Sequence, residues 1–465
     1  MMKTLKVAEV KNLPDNEKIR FAELVKVYNY HKLKNEKKEK YYEGAVTLKD
    51  VNIGIALPHE FANIQIGCEW GAKTVDVLAS RSMFDGFVSQ SGDGIDTLKK
   101  IMDANNLITE YMKACRDELK FGCTFATLSA DEAEGCKIRF HSPQTASALW
   151  NGERGRIDCG MAIIDTAPDE KDASSWTPSR INYYTDTAIW ELTRQGMIWT
   201  ATEYEHLLGR PLMVPMVWNS TNAKPFGRSR IKYPVRALID GYVRTIANAT
   251  IALEFDTTPQ KYILGLTDEQ YDAVVSDKFK QYVGAIIAAT NNPETGEKPT
   301  VGQFAQGSLS PHIEMIRILA TQFSAATGLT VTDTGVVNDA NPTSSDAILA
   351  QSQTLVSLAE QLNSGNGDTL RLIAQMAMAI SQNKTMEELT LEELDVVAHF
   401  KNPAMPNVAV TADAAIKIST SRPEFAQTDT YLEMVGFSQA DIRRIKAQEQ
   451  RVRGQYVLTE LEDNE

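Results

Sequence analysis

The stretch Ser310–Gly328, SPHIEMIRILATQFSAATG, carries an unusually complete set of helix signals and is the starting point for predicting the fold. Ser310 is a residue type that favours the N-cap position, and Pro311 follows at the first helical position. Gly328 is typical of a helix end. Apolar side chains recur at the three- and four-residue spacing of one buried helix face: Ile313, Ile316, Ala320 and Phe323.

A second long helix precedes this one. Apolar residues at helical spacing predict it over Ile231–Phe255. Between the two helices lies a small mixed unit, for which the sequence predicts a strand at 261–264, a helix at 268–279 and a strand at 282–289. Two long helices with apolar faces therefore flank a unit of mixed structure.

A polar loop and a third long helix follow Gly328. The loop, residues 329–342, carries Asp333 and Asp339 and has no Lys or Arg. Thr343 and Asp346 resemble a capping box, which predicts the start of the third helix. The run Ser364–Gly367, SGNG, predicts a break or a kink in that helix. A strand near 396–400 and a helical C-terminal region are predicted after it.

The part of the chain before residue 230 mixes helices with strands. A helix predicted from Lys18 to Lys40 has an apolar first half and a basic second half, which indicates either a solvated face or a contact for an acidic partner. Short strand-like segments separated by turns dominate from residue 121 onwards. The fold class predicted from these patterns is α+β.

Composition restricts the class of protein. The chain has 465 residues, 43% of them hydrophobic and 23% charged, which excludes wholesale disorder, a collagen-like fibre and a simple coiled coil. The formal net charge of −13 argues against a protein that clamps nucleic acid over its whole surface, because phosphate binding depends on clustered Lys and Arg. No apolar run is long enough for a transmembrane helix, and no secretory signal is visible at the N-terminus. We expect a soluble intracellular product without membrane attachment.

Motifs that would indicate catalysis are missing from the sequence. No phosphate-binding G-x-x-x-x-G-K-[ST] loop and no G-x-G-x-x-G turn occurs. His59 and Glu60 begin like a zinc-protease motif, but Asn63 stands where the second His is needed. The five cysteines form no C-x-x-C pair, which favours reduced thiols over a disulfide framework or a zinc site. We therefore expect no catalytic residues, no metal, no cofactor and no enzyme activity.

The apolar faces of the predicted long helices are compatible with two architectures. A monomer could bury the apolar faces of its helices in its own core. Alternatively, the chain could be one subunit of a ring, in which these helices surround the ring axis and bury the same faces against neighbouring copies. Periodicity alone does not separate the two.

Several landmarks, in this order and spacing, resemble the portal (head-to-tail connector) proteins of long-tailed bacteriophages. The resemblance covers roughly residues 20 to 450. Its landmarks are YYEG (41–44), GIALP (54–58), Trp70 through Val75 and Asp76 to Arg81, DGF (85–87), GRPLMVP (209–215), GRSRI (227–231), PQKY (259–262) with Gly265, Phe323–Gly328 and NPTSSDAI (341–348).

The resemblance implies an α+β portal fold with an α/β wing, a two-helix stem, a small α/β clip, a long tunnel helix and an α-helical crown. By residue number the implied parts are the wing (1–230), stem helix 1 (231–255), the clip (256–306), stem helix 2 (307–328), the tunnel loop (329–342), the long tunnel helix with its return to the wing (343–404) and the crown (405–465).

The resemblance also implies a function and partners. Portal proteins form a dodecameric ring at one vertex of the capsid, through which double-stranded DNA is packaged and ejected. The implied partners are further copies of the chain, the terminase large subunit, which supplies the ATPase, a head-tail connector or adaptor, and the major capsid and scaffolding proteins. The implied location is the portal vertex of the virion, after assembly in the bacterial host cytoplasm.

Two sets of contact residues follow from the same resemblance. The residues expected to face DNA from the tunnel loop are Thr332, Asp333, Thr334, Asn338, Asp339 and Asn341. The residues expected to contact a partner from the clip are Asn291, Asn292, Glu294, Glu297 and Lys298.

Two other functions remain open from the sequence. The chain could be a minor head or adaptor protein that binds the capsid without forming a channel. It could also be a hydrolase of unrecognised type, because a pair of catalytic carboxylates leaves no obligatory sequence motif. A ring with a central hole of duplex width would favour the portal, and turnover abolished by one Asp or Glu substitution would favour the hydrolase.

Overall fold

The computed structural model describes residues 4–7, 9–47, 50, 66–89, 96–169, 172–196, 198–257, 261–265, 296, 300–303, 307–336, 345–404, 408–437, 441–442 and 444–452. The α-helices that we number are α1 (Asp15–Tyr42), α2 (Trp70–Ala79), α3 (Asp96–Ala104), α4 (Leu107–Phe121), α5 (Tyr233–Thr257), α6 (Ser310–Thr327), α7 (Ser345–Ser381), α8 (Leu391–Leu394), α9 (Val408–Ser421) and α10 (Asp429–Val435). Residues 441–442 and 444–452 are helical as well. Short 3-10 helices lie at Thr332–Thr334, Met386–Glu388 and Pro423–Gln427.

The strands in the same ranges are β1 (Val10–Lys11), β2 (Phe84–Ser89), β3 (Cys123–Asp131), β4 (Gly135–His141), β5 (Ala146–Asn151), β6 (Arg156–Asp169), β7 (Asp172–Tyr184), β8 (Ala188–Gln195), β9 (Ile198–Glu205), β10 (Met213–Val217), β11 (Lys261–Leu264), β12 (Thr300–Gln303) and β13 (Val396–Phe400). The mixture of helix and sheet confirms the predicted α+β class.

A six-stranded sheet with the order β1-β9-β8-β7-β6-β5 forms the larger N-terminal layer. Its strands are antiparallel except for β1, which runs parallel to β9. The first half of α1 belongs to the same core as one face of this sheet, and the rings of Phe21 and Tyr183 meet edge to face at 5.4 Å. The apolar first half of α1, predicted from its spacing, is therefore buried against the sheet.

The basic second half of α1 is not simply a solvated face. Lys38 donates to the carbonyl of Phe121 at 2.8 Å, and burial lowers the pKa of its ammonium to about 8. Lys40 pairs with Asp50 at 2.6 Å, and Lys32 pairs with Glu36 at 3.5 Å. Part of this basic run therefore holds the protein's own structure together.

A strand from the C-terminal half returns to the N-terminal half. β13 pairs antiparallel with β2, which joins residues more than 300 positions apart in the sequence. The predicted strand near 396–400 is confirmed. Sequence patterns did not predict α3, β5 or β12, because these short elements lack a long periodic stretch.

The two long helices that flank the small unit are confirmed as α5 and α6. They pack on each other, and Val235, Ile239, Val243, Leu319 and Phe323 are all buried in the same core. A β-carbon at Gly241 of α5 would lie only 3.2 Å from Leu319 Cδ2, so glycine lets the two helices approach closely here. The expected N-cap at Ser310 is wrong by one residue, because Ser310 already belongs to the helix, Leu309 caps it and the Ser308 hydroxyl accepts from the Ser310 N–H at 3.3 Å.

The predicted break at Ser364–Gly367 is also wrong. α7 runs through this run as one helix of 37 residues. Leu362, Leu370 and Ile373 are buried on either side of the run, so packing against the core overrides the weak helix propensity of Gly, Ser and Asn. The proposed capping box at Thr343 lies outside the described residues.

Only the edges of the unit between α5 and α6 are described. β11 confirms the strand predicted at 261–264, and it pairs antiparallel with β12 from Lys261–Gln303 to Leu264–Thr300. The helix predicted at 268–279 and the strand predicted at 282–289 lie outside the described residues.

Candidate functional site

The loop that follows α6 begins as a closed turn. Gly328 ends α6 with a left-handed φ of 74°, and the next residue, Leu329, is buried. The Ser324 hydroxyl donates to the Leu329 carbonyl at 2.6 Å. One carboxylate oxygen of Asp333 accepts from the backbone N–H and from the hydroxyl of Thr330, both at 2.8 Å. The first part of the loop is therefore held in one conformation by its own hydrogen bonds.

Trp70, the first residue of α2, joins this loop to both long helices. Its ring lies 4.5 Å from that of Tyr242 on α5 and 4.7 Å from that of Phe323 on α6. Its indole N–H donates to the Thr334 carbonyl at 3.1 Å. One buried side chain thus fixes the position of the loop relative to α2, α5 and α6.

Arg230 makes a second junction just before α5. Its guanidinium donates to the Thr74 carbonyl on α2 at 2.7 Å and to the Thr327 carbonyl at 2.6 Å. Thr327 is the last residue of α6, so the cation satisfies an unpaired carbonyl at the negative end of the helix dipole. Burial lowers the pKa of Arg230 to about 10, so the group stays charged at neutral pH.

The positions of the expected tunnel-loop residues are only partly described. Thr332 is exposed, whereas Asp333 and Thr334 are half-buried. Asn338, Asp339 and Asn341 lie outside the described residues, as do the clip residues Asn291, Asn292, Glu294, Glu297 and Lys298. The contact of Thr332, Asp333 and Thr334 with DNA stays a prediction, and Asp333 already uses its carboxylate to close a turn.

The stretch from this loop into α7 has no cation. No Lys or Arg occurs between Arg317 and Arg371, whereas five acidic residues do. The exposed positions of α7 from residue 353 to 368 carry Gln, Thr, Ser, Gly, Glu and Asp side chains. This surface therefore offers nothing that would hold a phosphate by charge.

Buried polar groups tie α7 to α4. The amide N–H groups of Asn366 donate to Glu118 Oε2 at 2.8 Å and to the Tyr111 hydroxyl at 3.1 Å, and Tyr111 shares a hydrogen bond of 2.6 Å with Ser82. Glu118 Oε1 and Asn366 Oδ1 have no hydrogen-bond partner among the described residues. Complete burial raises the pKa of Glu118 to about 8, and a proton on this carboxyl would supply a donor that the cluster lacks.

This cluster predicts a pH dependence of stability. The folded-state pKa of Glu118 lies above its unfolded value, so wild-type stability should fall as pH rises from about 4.5 to about 8. Glu118→Gln keeps the shape and always carries a donor, so its stability relative to wild type should increase over this window by roughly 1 kcal/mol per pH unit. Chemical denaturation at several pH values measures this difference. The same substitution at the exposed Glu132 is the control, and parallel pH profiles for Glu118→Gln and wild type would refute the assignment.

The described residues show no arrangement that suggests another kind of site. Within them, His, Cys, Asp and Glu side chains nowhere gather in threes that could hold a metal ion. All five cysteines are buried free thiols, and burial raises the pKa of Cys123 and Cys136 to about 12. None of the helices in the described ranges combines the length and hydropathy needed to cross a bilayer.

Comparisons with known proteins give one family and several solved structures. No curated protein sequence matches the chain. Similar solved structures include "Virion of native gene transfer agent (GTA) particle", with a TM-score of 0.45, 12% identity and coverage of 79% of this chain and 89% of that one. They also include "Neck of native GTA particle computed with C12 symmetry", with a TM-score of 0.45, 12% identity and coverage of 80% and 90%.

The family comparison covers almost the whole chain. The family described as "Phage portal protein, SPP1 Gp6-like" matches residues 15–455, which include α1, both long helices, the loop after α6 and α7. The chain therefore belongs to the SPP1 Gp6-like family of phage portal proteins.

Proposed function

We propose that this chain forms a dodecameric ring at one capsid vertex, through which double-stranded DNA enters and leaves the particle. In this proposal the ring acts in the virion after assembly in the cytoplasm of the bacterial host. It docks the terminase large subunit, a head-tail connector and the major capsid and scaffolding proteins. The observation that carries the proposal is the family match over residues 15–455.

Exposed apolar side chains support assembly with further copies. Ile313, Met315 and Ile318 of α6 are 50%, 41% and 51% exposed in the single chain. They lie on the half of α6 that precedes its buried contacts with α5. Met315 and Ile318 share one side of α6, and Ile313 lies on the opposite side, because successive helical residues are turned by about 100°. Exposed apolar side chains on both sides of the start of α6 fit contacts with neighbouring subunits.

The charge pattern supports passage of DNA. A channel that holds phosphates tightly would resist sliding, because each contact between a cation and a phosphate adds affinity. The cation-free stretch between Arg317 and Arg371 meets this requirement. We assign the loop after α6 and the exposed face of α7 to the wall of the lumen. The loop residues that face DNA in this assignment are Thr332, Asp333, Thr334, Asn338, Asp339 and Asn341.

The remaining assignments complete the proposal. The wing comprises residues 1–230, the stem 231–255 and 307–328, the clip 256–306, the tunnel loop 329–342, the tunnel helix with its return to the wing 343–404, and the crown 405–465. The clip contacts terminase or connector through Asn291, Asn292, Glu294, Glu297 and Lys298. The chain has no catalytic role, and terminase supplies ATP hydrolysis.

Packaging in particles with and without the chain tests this function. Proheads assembled without it should protect no DNA from nuclease when terminase and ATP are present. Proheads that incorporate the chain at assembly should protect genome-length DNA. Equal protection in both preparations would contradict a portal role, and protection in neither would show that the chain cannot complete a packaging vertex.

A further inference from the structure

One face of α1 carries apolar and basic side chains that are all exposed. Tyr30 and Leu33 are 66% and 75% exposed, and the ammonium of Lys34 lies 3.8 Å from the centre of the Tyr30 ring. Successive helical residues are turned by about 100°, so this face lies within roughly 100° of arc, opposite the buried Phe21 and Tyr28. We call it the lysine face, and its members are Ile19, Lys26, Tyr30, Leu33, Lys34 and Lys37.

The lysines of this face have no acidic partner in the part of the chain that the structure describes. From residue 26 onwards, the ion pairs that lysines of α1 make with described carboxylates use Lys32 and Lys40. Lys26, Lys34 and Lys37 make none. Three unpaired cations beside exposed apolar groups fit a protein surface that offers acceptors together with an apolar wall.

A cleft on the large sheet has these properties. It lies where β8 and β9 meet the end of α7, and its volume is about 380 Å³. Tyr204 and Leu207 in its lining are 54% and 58% exposed. The Oδ1 atom of Asn182 and the Nδ1 atom of His206 are buried without a hydrogen-bond partner among the described residues. We call it the acceptor cleft, and its lining includes Asn182, Tyr204, Glu205, His206, Leu207 and Leu208.

The chemistry of the acceptor cleft fits a cationic donor. The Nε2–H of His206 donates to the Thr185 carbonyl at 3.2 Å, and burial lowers the pKa of His206, so Nδ1 of the neutral ring is an acceptor. A buried acceptor without a donor costs free energy. Lys384 also lines the cleft, but its ammonium already donates to the side chain of Gln382. Glu205 is exposed and makes no ion pair with a described residue, so it would attract a further ammonium group.

The lysine face and the acceptor cleft lie on opposite sides of the sheet in one chain. Tyr183 and Trp190 belong to the core that includes Phe21 of α1. Asn182 and Ile189 are their neighbours along the same strands, so these side chains point to the opposite face of the sheet, where the cleft lies. A helix about 10 Å thick and a sheet layer of about 10 Å separate the two surfaces. They can therefore meet only between different copies, and a contact between two different surfaces of identical subunits can close a ring.

We propose that the lysine face of each subunit docks into the acceptor cleft of the next copy in the ring. Lys34 and Lys37 bring their ammonium groups to the free acceptors and to Glu205, and Leu33 packs on Leu207. This inference rests on the ring of the proposed function and names the surfaces through which the wings of adjacent subunits bind each other.

Disulfide cross-linking of purified rings tests the contact. Leu33→Cys combined with Leu207→Cys should give, on oxidation, a ladder of covalent oligomers up to the full ring, because the two cysteines lie on opposite sides of the sheet within one chain. The native cysteines are buried free thiols and should not contribute. The matched control combines Leu33→Cys with Ile198→Cys and should give no ladder, since Ile198 is also exposed but lies at the other end of β9 from the cleft.

Charge reversal gives an independent measurement. The double variant Lys34→Glu with Lys37→Glu should lower the fraction of subunits in rings, because it places carboxylates against acceptors and against Glu205. Adding Glu205→Lys should restore part of that fraction. Arg422→Glu, at an exposed arginine on the C-terminal side, is the control and should leave rings intact.

The outcomes separate this contact from the proposed function. Rings of the Leu33→Cys and Leu207→Cys variant without a ladder would overturn the contact while leaving the proposed function standing. Rings that are unchanged by the charge reversal would show that another molecule or solvent covers the lysine face, and an equal ladder from the control pair would show random collision, so both also overturn it. Failure of the wild-type chain to form rings would instead overturn the proposed function itself.

Discussion

Thr332→Lys should slow DNA packaging without impairing ring assembly. Thr332 is exposed in the turn after α6, and its side chain makes no hydrogen bond with another described residue, so lysine should leave the turn intact. In the proposed ring, each subunit would then present a cation in the stretch that we assign to the lumen, which has none between Arg317 and Arg371. The measurement is the rate at which DNA becomes protected from nuclease in proheads with variant or wild-type portals.

Thr332→Glu is the matched control, because it adds a long side chain of opposite charge at the same position. It should package at close to the wild-type rate. The lysine defect should shrink as salt rises, with a slope of roughly −0.9 in log affinity per log salt for each phosphate contacted. Equal packaging by the lysine and glutamate variants, with rings of equal quality, would place the turn away from DNA.

Trp70→Ala should destabilise the junction of α2, α5 and α6 by about 3–5 kcal/mol, the usual cost of removing a buried aromatic ring. The loss follows from the ring contacts with Tyr242 and Phe323. Trp70→Phe keeps a ring but removes the N–H that donates to Thr334, and should cost about 1 kcal/mol. Denaturant unfolding of the purified chain measures both changes in the free energy of unfolding.

Hydrogen exchange separates the two roles of Trp70. In Trp70→Phe, faster exchange should be confined to the loop residues around Thr334. In Trp70→Ala it should extend into α5 and α6. A cost below about 1 kcal/mol for the alanine variant would mean that the aromatic cluster does not hold the helices together.

The long helices could be predicted because their signals are local. Pro311 and Gly328 mark the ends of α6 within its own sequence, and Ala320 and Phe323 of the predicted apolar face are buried. Burial of Ile313 on the same face was a wrong prediction, because this residue lies before the contacts of α6 with α5 and is 50% exposed. The helix from Lys18 to Lys40 was found in the same way and is confirmed as α1. The portal family, inferred from the order of short landmarks, is confirmed by the match over residues 15–455.

Features set by distant partners could not be predicted. The polar run around Asn366 indicates a helix break when it is considered alone, yet this amide is buried on Glu118, which lies 248 residues away in the sequence. Trp70 and Thr334 are 264 residues apart, and Arg230 and Thr74 are 156 apart. GRSRI is a family landmark, but nothing local shows that Arg230 joins the middle of α2 to the end of α6.

Native mass spectrometry combined with electron microscopy of the purified chain tests the central claim most directly. Twelve copies of the 51.6 kDa subunit give a mass of about 620 kDa. We predict a dominant cyclic assembly at this mass or at a neighbouring subunit count, with a central hole wide enough for a DNA duplex. A stable monomer at micromolar concentration, or a closed particle without a hole, would contradict the claim.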